Sequence, residues 1–207
     1  MATISGTNGA DTLNGTNLPD VINLLGGNDR SSAGFGDDLV RAGPGFDTIF
    51  GDDGNDDLRG EAEDDFLSGN VTGSIESITG GSGNDTLVGF FGVDRLTGGT
   101  GFDVFDFNSS AHSGIGGVGN RDVITDFSRG VDRIDLSTID ADAFIAGNQA
   151  FTFDGSGGGG ADRGEVAFFV STVTGNVVLT LDVNGGADEM QIELQGVTTV
   201  SAVDFIL

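Results

Sequence analysis

Apolar and polar positions in the first half of the chain recur on a nine-residue period. From Gly6 the units read GTNGADTLN, GTNLPDVIN, LLGGNDRSS, AGFGDDLVR, AGPGFDTIF, GDDGNDDLR and GEAEDDFLS. After Gly69 and Asn70 the phase resumes with VTGSIESIT, GGSGNDTLV, GFFGVDRLT and GGTGFDVFD, ending at Asp106. The eighth position is apolar in ten of the eleven units, from Leu13 and Ile22 to Leu96 and Phe105, and only Ser31 departs. One apolar residue between two variable ones predicts a three-residue strand with a single side chain turned inward. Ile4 shares the phase, so a strand is expected before the first full unit. The fourth position is Gly9, Gly27, Gly36, Gly45, Gly54, Gly83, Gly92 and Gly101, replaced only by Leu18, Glu63 and Ser74. Glycine there permits the positive φ of a sharp turn. Two such half-turns close one coil of eighteen residues, and alternate units stack on the same side.

The sixth position turns this scaffold toward chemistry. It reads Asp11, Asp20, Asp29, Asp38, Asp47, Asp56, Asp65, Glu76, Asp85, Asp94 and Asp103, acidic in every unit. Stacked at strand spacing, about 4.8 Å, such carboxylates repel from both sides unless a cation joins them. Ca²⁺ takes six to eight oxygens and accepts both carboxylates and the carbonyls that tight glycine turns present, whereas Mg²⁺ demands a stricter octahedron. The expected pairs on one side are Asp11–Asp29, Asp29–Asp47, Asp47–Asp65, Asp65–Asp85 and Asp85–Asp103. On the other they are Asp20–Asp38, Asp38–Asp56, Asp56–Glu76 and Glu76–Asp94, giving up to about nine inter-coil sites. In Asp64–Asp65 the phase assigns Asp65 to the column and leaves Asp64 as a solvated turn residue.

Beyond Asp106 the period is lost. Runs rich in Val, Ile, Phe and Thr at 123–127, 133–136, 150–153, 165–173, 176–183 and 190–194, separated by turn residues, predict antiparallel strands. Thr174-Gly175-Asn176 is the expected hairpin turn. A stack of thin coils needs its end covered. The chain is therefore read as all-β, with a parallel β-roll over 1–106 and an antiparallel β-sandwich-like cap over 107–207.

Composition narrows the function. Among 207 residues there are 33 acidic and 8 basic side chains, a formal charge of −25, and the basic ones are all Arg. With no Cys, Lys, Tyr or Trp and a single His, thiolate, Schiff-base and phosphate-loop lysine chemistry have no side chain to run on. A field of that sign disfavours nucleic acid. No apolar run is long enough to span a membrane, and the first residues lack the basic, apolar pattern of a cleaved secretory signal.

The repeat units resemble those of the RTX family, glycine- and aspartate-rich proteins exported by Gram-negative bacteria. GGTGFDVFDF at 98–107, RDVITDFSRGVDRIDLSTIDA at 121–141, residues 150–153 and the closing Asp204-Phe205-Ile206-Leu207 resemble the C-terminal region of serralysin-type metalloproteases. The resemblance implies a parallel β-roll with Ca²⁺ between successive turns and an uncleaved C-terminal signal read by type I secretion machinery. It also implies a secreted, extracellular protein that folds on meeting Ca²⁺ outside the cell. The zinc-binding HExxH helix of those proteases is absent and cannot be built from one His, so a non-catalytic role is expected. It further suggests Asp122, Asp126, Asp132 and Asp135 as ligands or loop caps beside the last coil, and a shortened calcium loop at Asp182, Asn184 and Asp188. An alternative is a calcium-dependent module for acidic polysaccharide or a cell surface, similar to the repeat modules of alginate epimerases.

Overall fold

A computed structural model describes residues 1–70, 74–110, 119–142, 144–155, 161–185 and 190–207. Among these residues the chain winds into two parallel sheets that face each other across one core. The first contains β1 (Thr3–Ser5), β3 (Val21–Asn23), β5 (Leu39–Pro44), β7 (Asp57–Ala62), β9 (Ser77–Ser82), β11 (Arg95–Thr100) and β13 (Asp122–Ile124). The second contains β2 (Thr12–Asn14), β4 (Arg30–Ser32), β6 (Thr48–Phe50), β8 (Phe66–Asn70), β10 (Thr86–Phe90), β12 (Val104–Asp106) and β14 (Arg133–Asp135). The chain alternates between them at every half-turn, which is the coil that the period predicts.

The register follows the sequence phase. Ile4 pairs with Ile22, Ile22 with Val40 and Val40 with Leu58, each eighteen residues apart; Leu58 pairs with Ile78, twenty apart, because Gly69 and Asn70 add two residues to that coil. Every eighth-position side chain from Ile22 to Phe105 is fully buried. Ser31 takes its place in this column between Leu13 and Ile49, and its buried hydroxyl has no hydrogen-bond partner.

The strands are not uniformly three residues long. β5, β7, β9 and β11 run to six, because pairing resumes beyond the turn onset at Gly43↔Glu61, Glu61↔Gly81 and Gly81↔Gly99. The second half differs from the antiparallel expectation more substantially. β13 and β14 add a parallel rung to each sheet, Leu96 pairing with Ile124 and Phe105 with Ile134. A further rung comes from β18 (Met190–Leu194) and β19 (Phe205–Ile206), again parallel. The coil thus continues after its period has vanished, since longer loops replace short turns while the inward residue stays apolar. Antiparallel pairing is confined to β16 (Glu165–Val170), β17 (Val177–Asp182) and β18, with β15 (Thr152–Phe153) parallel at the edge. The expected hairpin joins β16 to β17, closed by the Ser171 N–H donating to the Asn176 carbonyl. Phe127, Phe151, Phe168, Leu179, Leu181 and Phe205 extend the core into this end. A 3₁₀ turn at Ala202–Asp204 precedes β19.

Candidate metal centre: two columns of buried carboxylates

Each half-turn delivers its acidic residue to the entry of the next strand. The fourth-position glycines from Gly27 onward hold left-handed backbone, with φ of 120° at Gly27 and 146° at Gly101. A Cβ on Gly101 would overlap the Gly83 carbonyl, and one on Gly45 the Gly27 carbonyl. Glycine is therefore required by turn conformation and by coil spacing together.

The carboxylates form two columns, linked rung to rung by hydrogen bonds that the sequence reading did not foresee. The backbone N–H of Asp11 donates to Oδ1 of Asp29 (2.7 Å), that of Asp29 to Asp47 (2.7 Å), Asp47 to Asp65 (2.8 Å), Asp65 to Asp85 (2.8 Å) and Asp85 to Asp103 (3.0 Å). In the other column Asp20 donates to Asp38 (2.6 Å), Asp38 to Asp56 (2.9 Å) and Glu76 to Asp94 (2.9 Å). Eight of the nine pairs expected from the repeat phase are thus joined by these bonds. Both columns run one rung further, Asp94 donating to Asp122 (2.8 Å) and Asp103 to Asp132 (3.2 Å). Their residue spacings of 28 and 29 hide these rungs from a search for period nine. Asp126 serves differently, accepting from Gly98 and Gly99, and Asp135 caps Ser137.

One carboxyl oxygen per rung is spent on this ladder. The other is buried without any hydrogen-bond donor at Asp29, Asp38, Asp47, Asp56, Asp65, Asp85, Asp94 and Asp103. It sits over the start of its own turn, since a Cβ on Gly51, Gly60, Gly80, Gly89 or Gly98 would run into the Oδ2 of the Asp five residues on. An ionised oxygen in such a place is costly unless it is paired. The two first rungs are built otherwise. Oδ2 of Asp11 accepts from the N–H and hydroxyl of Thr7 (2.6 and 2.8 Å), and that of Asp20 from Thr16 (2.9 and 2.7 Å). Thr7 and Thr16 have ordinary φ, whereas the equivalent residues Leu25, Gly34, Gly43, Asp52 and Glu61 are left-handed.

The electrostatics follow the geometry. Burial, reinforced by the neighbouring carboxylates, pushes Asp38, Asp47, Asp85 and Asp103 up to about 6, Asp56 to about 7 and Asp65 to about 8. Glu76 is raised as well, by burial first and then by Asp94 beside it. Asp20 moves the other way, held low by the Ala2 N–H and the Thr16 hydroxyl.

A second, outer ladder involves the fifth position. Oδ1 of Asp64 accepts the Asn84 N–H (2.7 Å), and Asn84 in turn accepts that of Phe102 (2.9 Å). Asp37 and Asn55 do the same on the opposite side for Asn55 and Ile75. Asp64 is therefore a structural link as well as an exposed residue, contrary to its reading as a merely solvated turn residue. Oδ1 of Asp182 accepts the N–H groups of Asn184 and Gly185, which closes a local turn; Asp188 lies outside the described residues.

Donor-free carboxylate oxygens in rows, cradled by glycine turns, suit a hard cation that takes several oxygens. Among the described residues no three carboxylate, imidazole or thiol side chains converge on one point, so the columns offer one side chain per rung and leave the rest of any shell to backbone oxygens. Wound from a nine-residue unit with these columns at its turns, the molecule is a parallel β-roll of the nonapeptide-repeat class. The chain belongs to the family described as peptidase M10 serralysin C-terminal, whose profile matches residues 64–207, and it carries RTX calcium-binding nonapeptide repeats, matched at 5–40 and 32–67. No curated protein matches it. Among solved structures it is similar to the solution structure of the AlgE6R3 subunit from the Azotobacter vinelandii mannuronan C5-epimerase. The two share 23% identity over 97% of this chain and 80% of that one, with a TM-score of 0.36.

Proposed function

We propose that this protein is a secreted, non-catalytic calcium-binding module whose fold is gated by extracellular Ca²⁺ after export through a type I secretion system. The observation that carries this reading is the set of buried, donor-free oxygens on Asp29, Asp38, Asp47, Asp56, Asp65, Asp85, Asp94 and Asp103. Those residues, with Asp11, Asp20 and Glu76 as their column partners, are the proposed ligand carboxylates. The turns at Gly27, Gly36, Gly45, Gly54, Gly83, Gly92 and Gly101 shape the backbone around them, with Gly9 in the first turn, for up to about nine sites. Bound Ca²⁺ supplies the positive charge that these oxygens lack. Where calcium is scarce the carboxylates repel one another and resist burial, which keeps the chain loose enough to be threaded through an exporter. Outside, binding energy becomes folding energy. A site at a hundred times its dissociation constant contributes about 2.7 kcal/mol, so a few such sites match the ~5–15 kcal/mol net stability of a typical domain. Without Cys, no disulfide can fix the chain before export.

Far-UV circular dichroism across a Ca²⁺ titration, with Mg²⁺ as control, tests the proposal. A cooperative gain of β signal with Ca²⁺ alone is expected. A full β spectrum in a metal-free sample at pH 8 would refute it.

A second reading, a calcium-dependent module for acidic polysaccharide, draws on one feature. Arg41 and Arg59 stand in register on adjacent strands of the first sheet, with Arg95 two strands further along. Exposed Arg59 is paired with half-buried Asp57 (2.5 Å) and Arg41 with Asn23 (3.3 Å), so their charge is partly engaged. Retention on immobilised alginate with Ca²⁺, and its loss in Arg41→Ala, would favour this reading.

A further inference from the structure

On the flank of the second sheet, a groove of about 470 Å³ lies beside the turns that carry Asp38 and Asp56, although neither of those carboxylates lines it. Three aromatic rings, Phe35, Phe50 and Phe90, line it together with Asp52 and Asp53. Its volume falls in the range of small-molecule sites, and its lining has the expected form, mostly apolar with a few polar groups.

The groove is built by stacking. Phe35 and Asp53 are joined by a parallel bridge on adjacent coils, which sets a carboxylate beside a ring. Phe50 projects from β6 in register with Ser32 and Ser68, whose small side chains leave room around it. The Ser32 hydroxyl donates to Oδ2 of Asp52, which fixes that carboxylate at the groove. Phe35 is 55% exposed, and so is held open to solvent rather than packed into the core.

Rings with carboxylates next to them attract cations and repel acidic ligands. The chain itself places a cation on one of these rings: Arg30, which does not line the groove, holds its guanidinium 4.6 Å from the Phe50 centroid. Aromatic faces combined with a negative field are the chemistry by which proteins hold quaternary and alkylated ammonium groups. We propose that this groove binds a small soluble organic cation of the alkylammonium class, with Phe35, Phe50 and Phe90 meeting its apolar substituents and Asp52 and Asp53 its charge.

The test uses the calcium-loaded full chain, with isothermal titration calorimetry and ligand-observed NMR. The probe is choline and the control is 3,3-dimethyl-1-butanol, its uncharged isostere. Saturable choline binding, with the alcohol about tenfold weaker or more, is expected. Phe90→Gly removes a ring at a residue whose φ is 68°, where glycine is at ease, and should weaken choline about tenfold with an unchanged β spectrum. Asp53→Asn should weaken choline several-fold and leave the alcohol unaffected. Equal affinity for the alcohol overturns the proposal, as does undiminished choline binding in both variants. Binding to phosphatidylcholine vesicles without binding to free choline also overturns it, and so does the absence of saturation up to about 50 mM choline.

Discussion

Without metal, the roll should gain stability as the solution is acidified from pH 8 to pH 5. Asp38, Asp47, Asp85 and Asp103 sit at about 6 in the folded chain, Asp56 at about 7 and Asp65 at about 8, against 3.8 when exposed. Because these folded values are raised, the folded state binds more protons than the unfolded chain between about pH 4 and pH 8. Its stability therefore climbs as pH falls through that window and is lost as pH rises through the folded values. One unit of displacement is about 1.4 kcal/mol, so a rung held at 6 costs about 3 kcal/mol when charged at neutral pH, and six such rungs cost on the order of 20 kcal/mol. Halved for screening by water, the sum still rivals the ~5–15 kcal/mol of a typical domain. Far-UV circular dichroism and urea titrations on exhaustively demetallated protein, in half-unit steps of pH, read the effect. The expected result is a chain largely unfolded at pH 8 that recovers β signal toward pH 5. With saturating Ca²⁺ the dependence should invert, since protons then compete with metal for the same oxygens. A metal-free chain whose fold is indifferent to pH over this range, or firmer at pH 8, would refute the reasoning.

Four substitutions extend the test. Asp65→Asn keeps an acceptor for the Asp47 N–H but removes a charge from the rung raised furthest above its neighbours in that column, so it should stabilise the metal-free protein and weaken Ca²⁺-dependent folding, as read by melting with and without calcium. Ser31→Val replaces a buried, partnerless hydroxyl in a column otherwise apolar, and should add about 1–2 kcal/mol in urea unfolding of the calcium-loaded protein. Glu61→Gly relieves a left-handed non-glycine residue at φ 78° and should raise stability by about 1 kcal/mol in the same assay. Gly101→Ala combines left-handed strain with overlap onto the Gly83 carbonyl, and should cost about 3 kcal/mol or more, measured as a lower denaturation midpoint.

The repeat was legible because two constraints shared one phase: an apolar residue that must point inward and an acid two places before it. That coupling identified both sheets and the stacking of Asp29 on Asp47 without any coordinates. It failed where spacing changed but geometry did not. Asp122 and Asp132 occupy rungs equivalent to Asp94 and Asp103, yet loops of arbitrary length separate them, so only three-dimensional pairing reveals the correspondence. The direction of strand pairing in the second half was illegible for a related reason. Val123–Ile124 and Arg133–Asp135 have the composition of antiparallel strands, and their parallel arrangement is imposed by the open edges of β11 and β12. The outer ladder at Asp64 and Asn84 was visible as a run of Asn and Asp, but composition alone did not separate a structural acceptor from a solvated turn residue.

The contrast within the columns explains why the interior, and not the whole stack, is the frustrated part. Asp11 and Asp20 have the same place in the repeat as Asp47 or Asp56, yet Thr7 and Thr16 supply each with two donors. Asp132, at the far end, accepts the Ser128 N–H (2.7 Å), and Asp204 accepts from both the backbone and the hydroxyl of Ser201. A local donor offsets part of the charge at Asp11 and Asp20, so these rungs depend on an ion less than the interior ones do. In the interior, left-handed residues at the second position of each turn carry the N–H away, so the oxygen that Thr7 would have met is left open. The backbone conformation at that position thus sets how far a rung depends on what the solution provides. Natural chains tolerate such local conflicts where function requires them. Here the conflict is repeated along the interior rungs, which is what would let the proposed calcium gating act on them together.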